Sequence, residues 1–238
     1  MMPTLVHGVF DLLALITAVV VFRLVRVEPS EPWRMHPQYL VAASLGASIG
    51  AYAFGTLNLW ASGVHAIARS VEGGLAGGVF GVELLKARAG IRGSTGVRLA
   101  APLAAAIAVG RIGCFLAGRD DFTYGTPTSL PWGVDFGDGV RRHPVQLYEA
   151  AVMAAFVVTF LVLWRGKHPL LRNGFYAFIG VYAVQRFAWE FLKPYGHIVG
   201  PFNIFHLLSA ALLVYALACV VLARMSFSDR PRPSARPA

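Results

Sequence analysis

The feature that most constrains this chain is a series of apolar stretches, several of them longer than about 18 residues and almost free of charge. A run of that length covers the hydrocarbon core of a bilayer as a helix. In lipid no water is present to satisfy a backbone N–H or C=O, so each crossing segment must make its hydrogen bonds internally. Composition agrees: 56% of the 238 residues are hydrophobic and 14% charged, against about 45–50% and 25% in soluble domains. The expected fold is all-α and polytopic, with about seven transmembrane helices at roughly 5–27, 38–60, 64–86, 97–118, 145–164, 172–192 and 202–223. Residues 1–224 then form one seven-span domain with an extracytoplasmic segment at about 119–144. The Pro/Arg-rich tail 225–238, MSFSDRPRPSARPA, reads as a disordered cytoplasmic extension.

The net charge of +9 would suggest nucleic acid in a soluble protein. In a membrane protein, Lys and Arg gather in cytoplasmic loops and fix topology, so nucleic acid is not an expected partner. With the N-terminus outside and the C-terminus in the cytoplasm, fourteen basic residues fall on the cytoplasmic side, from Arg23, Arg26 and Arg34 to Arg230, Arg232 and Arg236. Four fall outside (Arg119, Arg141, Arg142 and Lys193), and Arg69, Arg111 and Arg186 lie inside spans. The N-terminal run lacks a basic n-region and a small-residue cleavage site, so it reads as a retained first span. No internal repeat supports an inverted-repeat transporter. Cys114 and Cys219 fall in spans near opposite faces, which argues against a bridge, and no CxxC or Cys/His metal spacing is present.

An ionisable group in the hydrocarbon costs about 2.5–3.5 kcal/mol on insertion scales, so each one inside a span needs a reason. Asp11, Arg69, Glu72, Arg111, Glu149, Arg186 and Glu190 all fall at depths near the outer leaflet, which predicts one outward-facing polar chamber. Asp11 and Arg69 suit a structural ion pair. Glu83 and Lys86, at the inner end of their span, suit a local pair. Arg111 and Arg186 ask for more than one carboxylate, and the planar guanidinium fork suits a phosphate such as that of a lipid head group. Gly73, Gly74, Gly77, Gly78 and Gly81 make small-xxx-small patterns that predict close helix packing. Gly110, Gly113 and Gly118 around Arg111 predict close backbone contact or a helix break. In the outer segment, Asp120 and Asp121 read as solvated or turn-capping, and Tyr124 and Trp132 as interfacial aromatics. His143 reads as an interfacial histidine or a catalytic one; Pro144, Gln146, Tyr148 and Glu149 open the fifth span.

Four strings in order, EGGLAGG at 72–78, GRIGCFLAG at 110–118, RHPVQLYEA at 142–150 and QRFAWEFLK at 185–193, resemble the prolipoprotein diacylglyceryl transferase family of bacterial inner membranes. The resemblance implies a seven-span, multi-pass inner-membrane enzyme. It would move diacylglycerol from phosphatidylglycerol to the thiol of a lipobox cysteine in a prolipoprotein, giving a thioether and releasing glycerol phosphate. By position, Arg111 and Arg186 match the family's two important arginines and Glu190 the acid one turn after the second. Glu72 and His143 join the arginines as catalytic candidates. Gly110, Gly113, Tyr124, Arg142, Gln146, Tyr148, Glu149 and Glu190 are the substrate-binding ones. The nucleophile belongs to the protein substrate, so no metal or cofactor is demanded. This chain departs from the family pattern in having Glu72 for the usual His, Cys114 for Asn, Arg119 for an acid and Arg98 for Asp. The N-terminal His-Trp-Tyr string is missing and only His7 lies nearby. Glu72 as a base, or as a partner of Arg69, are both open. So are transfer to a different acceptor and a non-catalytic phospholipid-binding role.

Overall fold

The computed structural model describes residues 3–25, 37–91 and 93–228. The first connection, with Arg26, Pro29, Pro32 and Arg34, Arg92, and the residues after Ser228 lie outside that set. Seven α-helices occur among the described residues: α1 Pro3–Leu24, α2 Pro37–Ala61, α3 Val71–Ala89, α4 Val97–Ala117, α5 Val145–Arg165, α6 Gly174–Glu190 and α7 Ile204–Ser228. The all-α expectation therefore holds. Five of them, Leu5–Leu24, Pro37–Ala61, Val97–Ala117, Val145–Arg165 and Ile204–Met225, are long and apolar enough to cross a membrane. The other two fall short for readable reasons: α3 carries Glu72, Glu83, Lys86 and Arg88, and α6 has only 17 residues and holds Arg186 and Glu190.

Helix α4 is the centre of the bundle. Its alanine face (Ala100, Ala101, Ala104, Ala105 and Ala108) is buried, and small side chains let neighbours approach its backbone. Phe178, Ile179, Tyr182 and Met153 fill the space beside it. On the outside of the bundle, Leu12, Leu15, Ile16, Leu45, Ile49 and Val158 are exposed, the reverse of a soluble protein and the surface that lipid requires.

Helix α2 packs on α3 through glycine. A Cβ on Gly77 would fall on the Gly46 carbonyl oxygen and 2.9 Å from the Gly50 Cα, and Gly46, Gly50, Gly73 and Gly81 are equally tight against backbone. The small-residue pattern of the third span is therefore a packing surface. Gly77→Ala is expected to destabilise the protein by about 1–3 kcal/mol through overpacking, read as a lowered thermal midpoint in detergent. Gly78→Ala, whose Cβ would meet nothing closer than 3.4 Å, should leave that midpoint unchanged.

Two expectations are corrected here. The third span does not begin at 64, because Val64–Ser70 folds back along α2: Ala68 N donates to Thr56 Oγ1 at 3.3 Å and Ser70 N to the Ala51 carbonyl at 3.0 Å. Ser70 then caps α3, accepting from Gly73 N at 3.1 Å. Arg69 thus lies in a connection, and Glu72 sits in the first turn of α3 rather than two turns inside a span. The 119–144 segment is also less irregular than its composition suggests. A 3-10 turn covers Gly118–Asp121, and a two-stranded antiparallel ribbon pairs Val134–Asp135 with Arg141–Arg142. At its tip, Asp135 Oδ1 accepts from the N–H groups of Gly137, Asp138 and Gly139. At the other end, α7 runs through Ser228, past the expected boundary at 224.

Candidate active site

The first turns of α3, α5 and α7 and the last turns of α4 and α6 share one end of the bundle, because successive helices alternate in direction. The sequence places an ionisable or polar residue in or near each. Glu72 lies in the first turn of α3, where the helix N-terminus favours a negative charge; Glu149 lies just inside α5. Arg111 is two turns from the end of α4, and Arg186 and Glu190 are four apart, stacked on one face of α6.

These side chains meet. Arg186 donates from Nε to Glu72 Oε2 at 3.0 Å and from Nη1 to Glu149 Oε1 at 2.6 Å, and its Nη2 lies 2.9 Å from Glu190 Oε2. Lys193 Nζ donates to Glu149 Oε1 at 2.7 Å, and Arg111 Nε lies 2.5 Å from Glu149 Oε2. Glu149 therefore sits among three cations and Arg186 among three carboxylates. All six residues are buried. Three positive and three negative charges cancel, which is the condition for holding ions out of water. Neutral groups complete the shell. Ser209 Oγ donates to Glu72 Oε1 at 2.5 Å, Asn203 Nδ2 donates to Glu190 Oε1 at 3.1 Å, and the Arg186 guanidinium stands 5.3 Å from the centre of the Phe205 ring. Tyr182, one turn before Arg186, is fully buried with a hydroxyl that has no hydrogen-bond partner among the described residues.

The sequence candidates divide into three groups. Arg111, Arg186, Glu72, Glu149 and Glu190 come together as expected. Glu72 pairs with Arg186, not with Arg69 three residues before it. Asp11 and Arg69 are both exposed and stand outside this centre, so the polar chamber has fewer members than depth alone suggested. The second group belongs to the 119–144 segment and the first turn of α5. Arg142 donates to both Asp138 oxygens at 2.7 and 2.8 Å and lies 5.2 Å from the Tyr124 ring centre; Arg119 reaches Asp138 at 3.0 Å. Tyr148 accepts from Trp132 Nε1 at 2.8 Å and is 3.4 Å from His143 Nδ1. Gln146 donates to Thr123 Oγ1 at 3.3 Å. The glycines form the third group: Gly113 abuts Phe10 of α1, with room for no Cβ, Gly118 ends α4 at φ +76°, and Gly110 faces open space.

Lys193 corrects the sequence reading, which counted it as an outer-surface charge. It is buried against Glu149, and its position three residues after Glu190 and just before Pro194 was the available signal. Asn203 and Ser209 went unread. Asn203 is legible as a helix cap, since its Oδ1 accepts from Phe205 N and His206 N at the start of α7. Asp121 is no solvated turn residue: it lies 2.8 Å from His7 Nε2 and accepts a hydrogen bond from Thr123 Oγ1.

The Arg142 guanidinium hydrogen-bonded to Asp138 holds that exposed carboxyl at about 2, below its ordinary value of 3.8. A carboxyl whose value is depressed on folding stabilises the fold above its unfolded value and loses that contribution as pH falls through the folded one. The ribbon, followed by a fluorophore at Val140, is therefore expected to stay ordered from neutral pH to about 4 and to loosen only towards about 2. Asp138→Asn should be looser at neutral pH and lack the step.

Helices and buried ion centre define a multi-pass α-helical membrane protein whose polar groups are concentrated at one end of its bundle. The chain belongs to the prolipoprotein diacylglyceryl transferase family, whose description matches residues 3–222. The phosphatidylglycerol–prolipoprotein diacylglyceryl transferase of Geobacter sulfurreducens is 31% identical over 195 residues, covering 76% of this chain and 74% of the relative. The protein of the same name from Nitratidesulfovibrio vulgaris strain Miyazaki F is 35% identical over 187 residues, covering 70% and 67%. No solved structure matches the chain.

Proposed function

We propose that this protein transfers the diacylglyceryl group of phosphatidylglycerol to a cysteine thiol of a prolipoprotein. The observation that carries the reading is the meeting of Arg111 and Arg186 on Glu149, each arginine coming from a different family string and all three residues buried. In the reaction the thiol sulfur forms a bond to the glyceryl carbon. The carbon–oxygen bond to phosphate breaks, and its electron pair leaves on the phosphate oxygen. Fixed cations in a water-poor site stabilise that growing charge without reorganising. Arg186 has all three nitrogens committed to carboxylates, so it anchors the centre. Arg111 meets the network through Nε, which leaves its terminal nitrogens to receive the phosphate. An apolar cavity of about 310 Å³ is lined by Val71, Leu75, Val79, Leu103 and Phe175; Val71 directly precedes Glu72 in α3, and the cavity suits an acyl chain of the lipid.

We place all seven helices across the bacterial cytoplasmic membrane as one domain, N-terminus out and C-terminus in, with the 119–144 segment and the ion centre on the outer side. Arg142, Tyr124 and His143 of that segment, with Gln146 and Tyr148 in the first turn of α5, then face the arriving prolipoprotein. The basic residues support this orientation, since Arg69, Arg119, Arg141 and Arg142 are the ones outside once Lys193 is buried and Arg69 is placed in the α2–α3 connection, still far fewer than on the other side. The test is purified protein in phosphatidylglycerol vesicles with a lipobox peptide. A thioether-linked diacylglyceryl peptide and one glycerol phosphate per product are expected. Neither product, beside an active family member, would rule the reading out.

A further inference from the structure

We propose that His7, Cys114 and Asp121 form a zinc site whose fourth position receives the acceptor thiol; the role of that fourth position rests on the transferase reading above. The three residues come from α1, from α4 and from the 3-10 turn that follows it, and are 107 and 114 residues from the N-terminal member in sequence. Even so, one ligand atom from each lies within 4.8 Å of the other two, and all three residues are partly buried. His7 Nε2 is 2.8 Å from Asp121 Oδ1. Zinc bonds of about 2.0–2.2 Å at a tetrahedral angle would set these two atoms at about 3.3 Å, an adjustment of a few tenths of an ångström. Two local features build the convergence. Gly113 lets Phe10 press against α4, which brings α1 and His7 to Cys114. Phe122, at φ +53°, holds a left-handed conformation that non-glycine residues rarely adopt and turns the chain sharply after Asp121.

The donor set selects the ion. A thiolate and an imidazole with one carboxylate suit zinc, whereas calcium and magnesium take oxygen. Three protein ligands with a fourth position open is the arrangement of zinc sites that do chemistry. Cys114 is one turn beyond Arg111 on α4, and Arg111, Asp121 and Glu149 are its electrostatic neighbours. A surface depression is lined by Ala117 and Gly118, one turn after Cys114 in sequence, by Phe122, which follows Asp121, and by Arg119, Tyr124 and Phe136; it lies on the side from which the prolipoprotein would come. Glu72 is bound to Arg186 and Ser209 and so is poorly placed to be a base for the acceptor thiol. A metal that binds the acceptor as thiolate removes the need for a base. The acceptor thiol loses its proton to water and binds zinc. Its sulfur then forms the bond to the glyceryl carbon as the carbon–oxygen bond breaks, with the electron pair going to phosphate. The neutral thioether, a weaker ligand, dissociates. No oxidation or reduction takes place.

The test uses the full chain, without a histidine tag, in nanodiscs containing phosphatidylglycerol. About one zinc per chain is expected after purification in zinc and removal of loosely bound metal. Cys114→Ser, Cys114→Asn, His7→Ala and Asp121→Asn should each lose it. Cobalt in place of zinc should give a thiolate-to-metal charge-transfer band that grows on adding a lipobox peptide, and not on adding the same peptide with serine for cysteine. Equal zinc in the native protein and the four variants, or a cobalt spectrum without the thiolate band, would overturn the site and leave a hydrogen-bonded triad. A band that ignores the cysteine peptide would overturn its role. A responsive band without lipid transfer would remove the transferase reading instead.

Discussion

Arg186→Ala is expected to abolish transfer and to destabilise the bundle at the same time. The guanidinium holds Glu72, Glu149 and Glu190 from α3, α5 and α6, with contacts of 3.0, 2.6 and 2.9 Å. Removing it leaves like charges facing one another in a place water cannot reach. Breaking a buried ion pair from one side typically costs about 3–5 kcal/mol, because the remaining charge is uncompensated. With Glu149 no longer held by Arg186, Arg111 loses its fixed position at the growing negative charge, which costs a further 10²–10³-fold or so in turnover. Thermal unfolding in detergent reads the first effect and the transfer assay, normalised to folded protein, the second. Arg186→Lys separates shape from charge. An ammonium is a compact point charge without the guanidinium fork and cannot meet three carboxylates as Arg186 does, so part of the stability and little of the activity should return.

Glu149→Gln is expected to be the most destabilising isosteric change in the protein, again by about 3–5 kcal/mol. One carboxylate faces Arg111, Arg186 and Lys193, and the amide leaves three cations opposite two acids. Glu190→Gln removes a contact to Arg186 and weakens one to Asn203, but leaves every cation a carboxylate, so its effect should be clearly smaller. Denaturation of the two variants under identical detergent conditions checks the order. Equal midpoints would mean that Glu149 is not the centre of the network.

Much of this centre was legible because charge inside an apolar run is costly. Arg111, Glu149, Arg186 and Glu190 stand out in the sequence for that reason alone, and alternating helix direction carries them to one end. Depth without facing was the weak step. Asp11 and Arg69 lie at the right depth, yet one is on the exposed side of α1 and the other in a connection. Lys193 was misplaced because it follows the last apolar residues of α6, where a cation ordinarily reaches water; only the packing of the outer segment, through Thr126 N to the Leu192 carbonyl at 2.6 Å, closes over it. Glycines illustrate the same limit. Gly113 and Gly118 have the contact and the turn their spacing suggested, and Gly110, three residues before Gly113 on α4, has neither. His7, Cys114 and Asp121 had no sequence spacing to read, because the proximity arises from α1 packing on α4.

In the proposed reaction Arg111 receives the phosphate while Arg186 and Lys193 keep Glu149 neutralised. The deciding measurement is the transfer rate of Arg111→Ala in phosphatidylglycerol vesicles, normalised to folded protein by its helix content. Because Glu149 keeps two cations in that variant, the fold should survive while turnover falls by roughly 10²–10³-fold. A folded Arg111→Ala protein that transfers diacylglyceryl at the native rate would mean that Arg111 does not receive the phosphate.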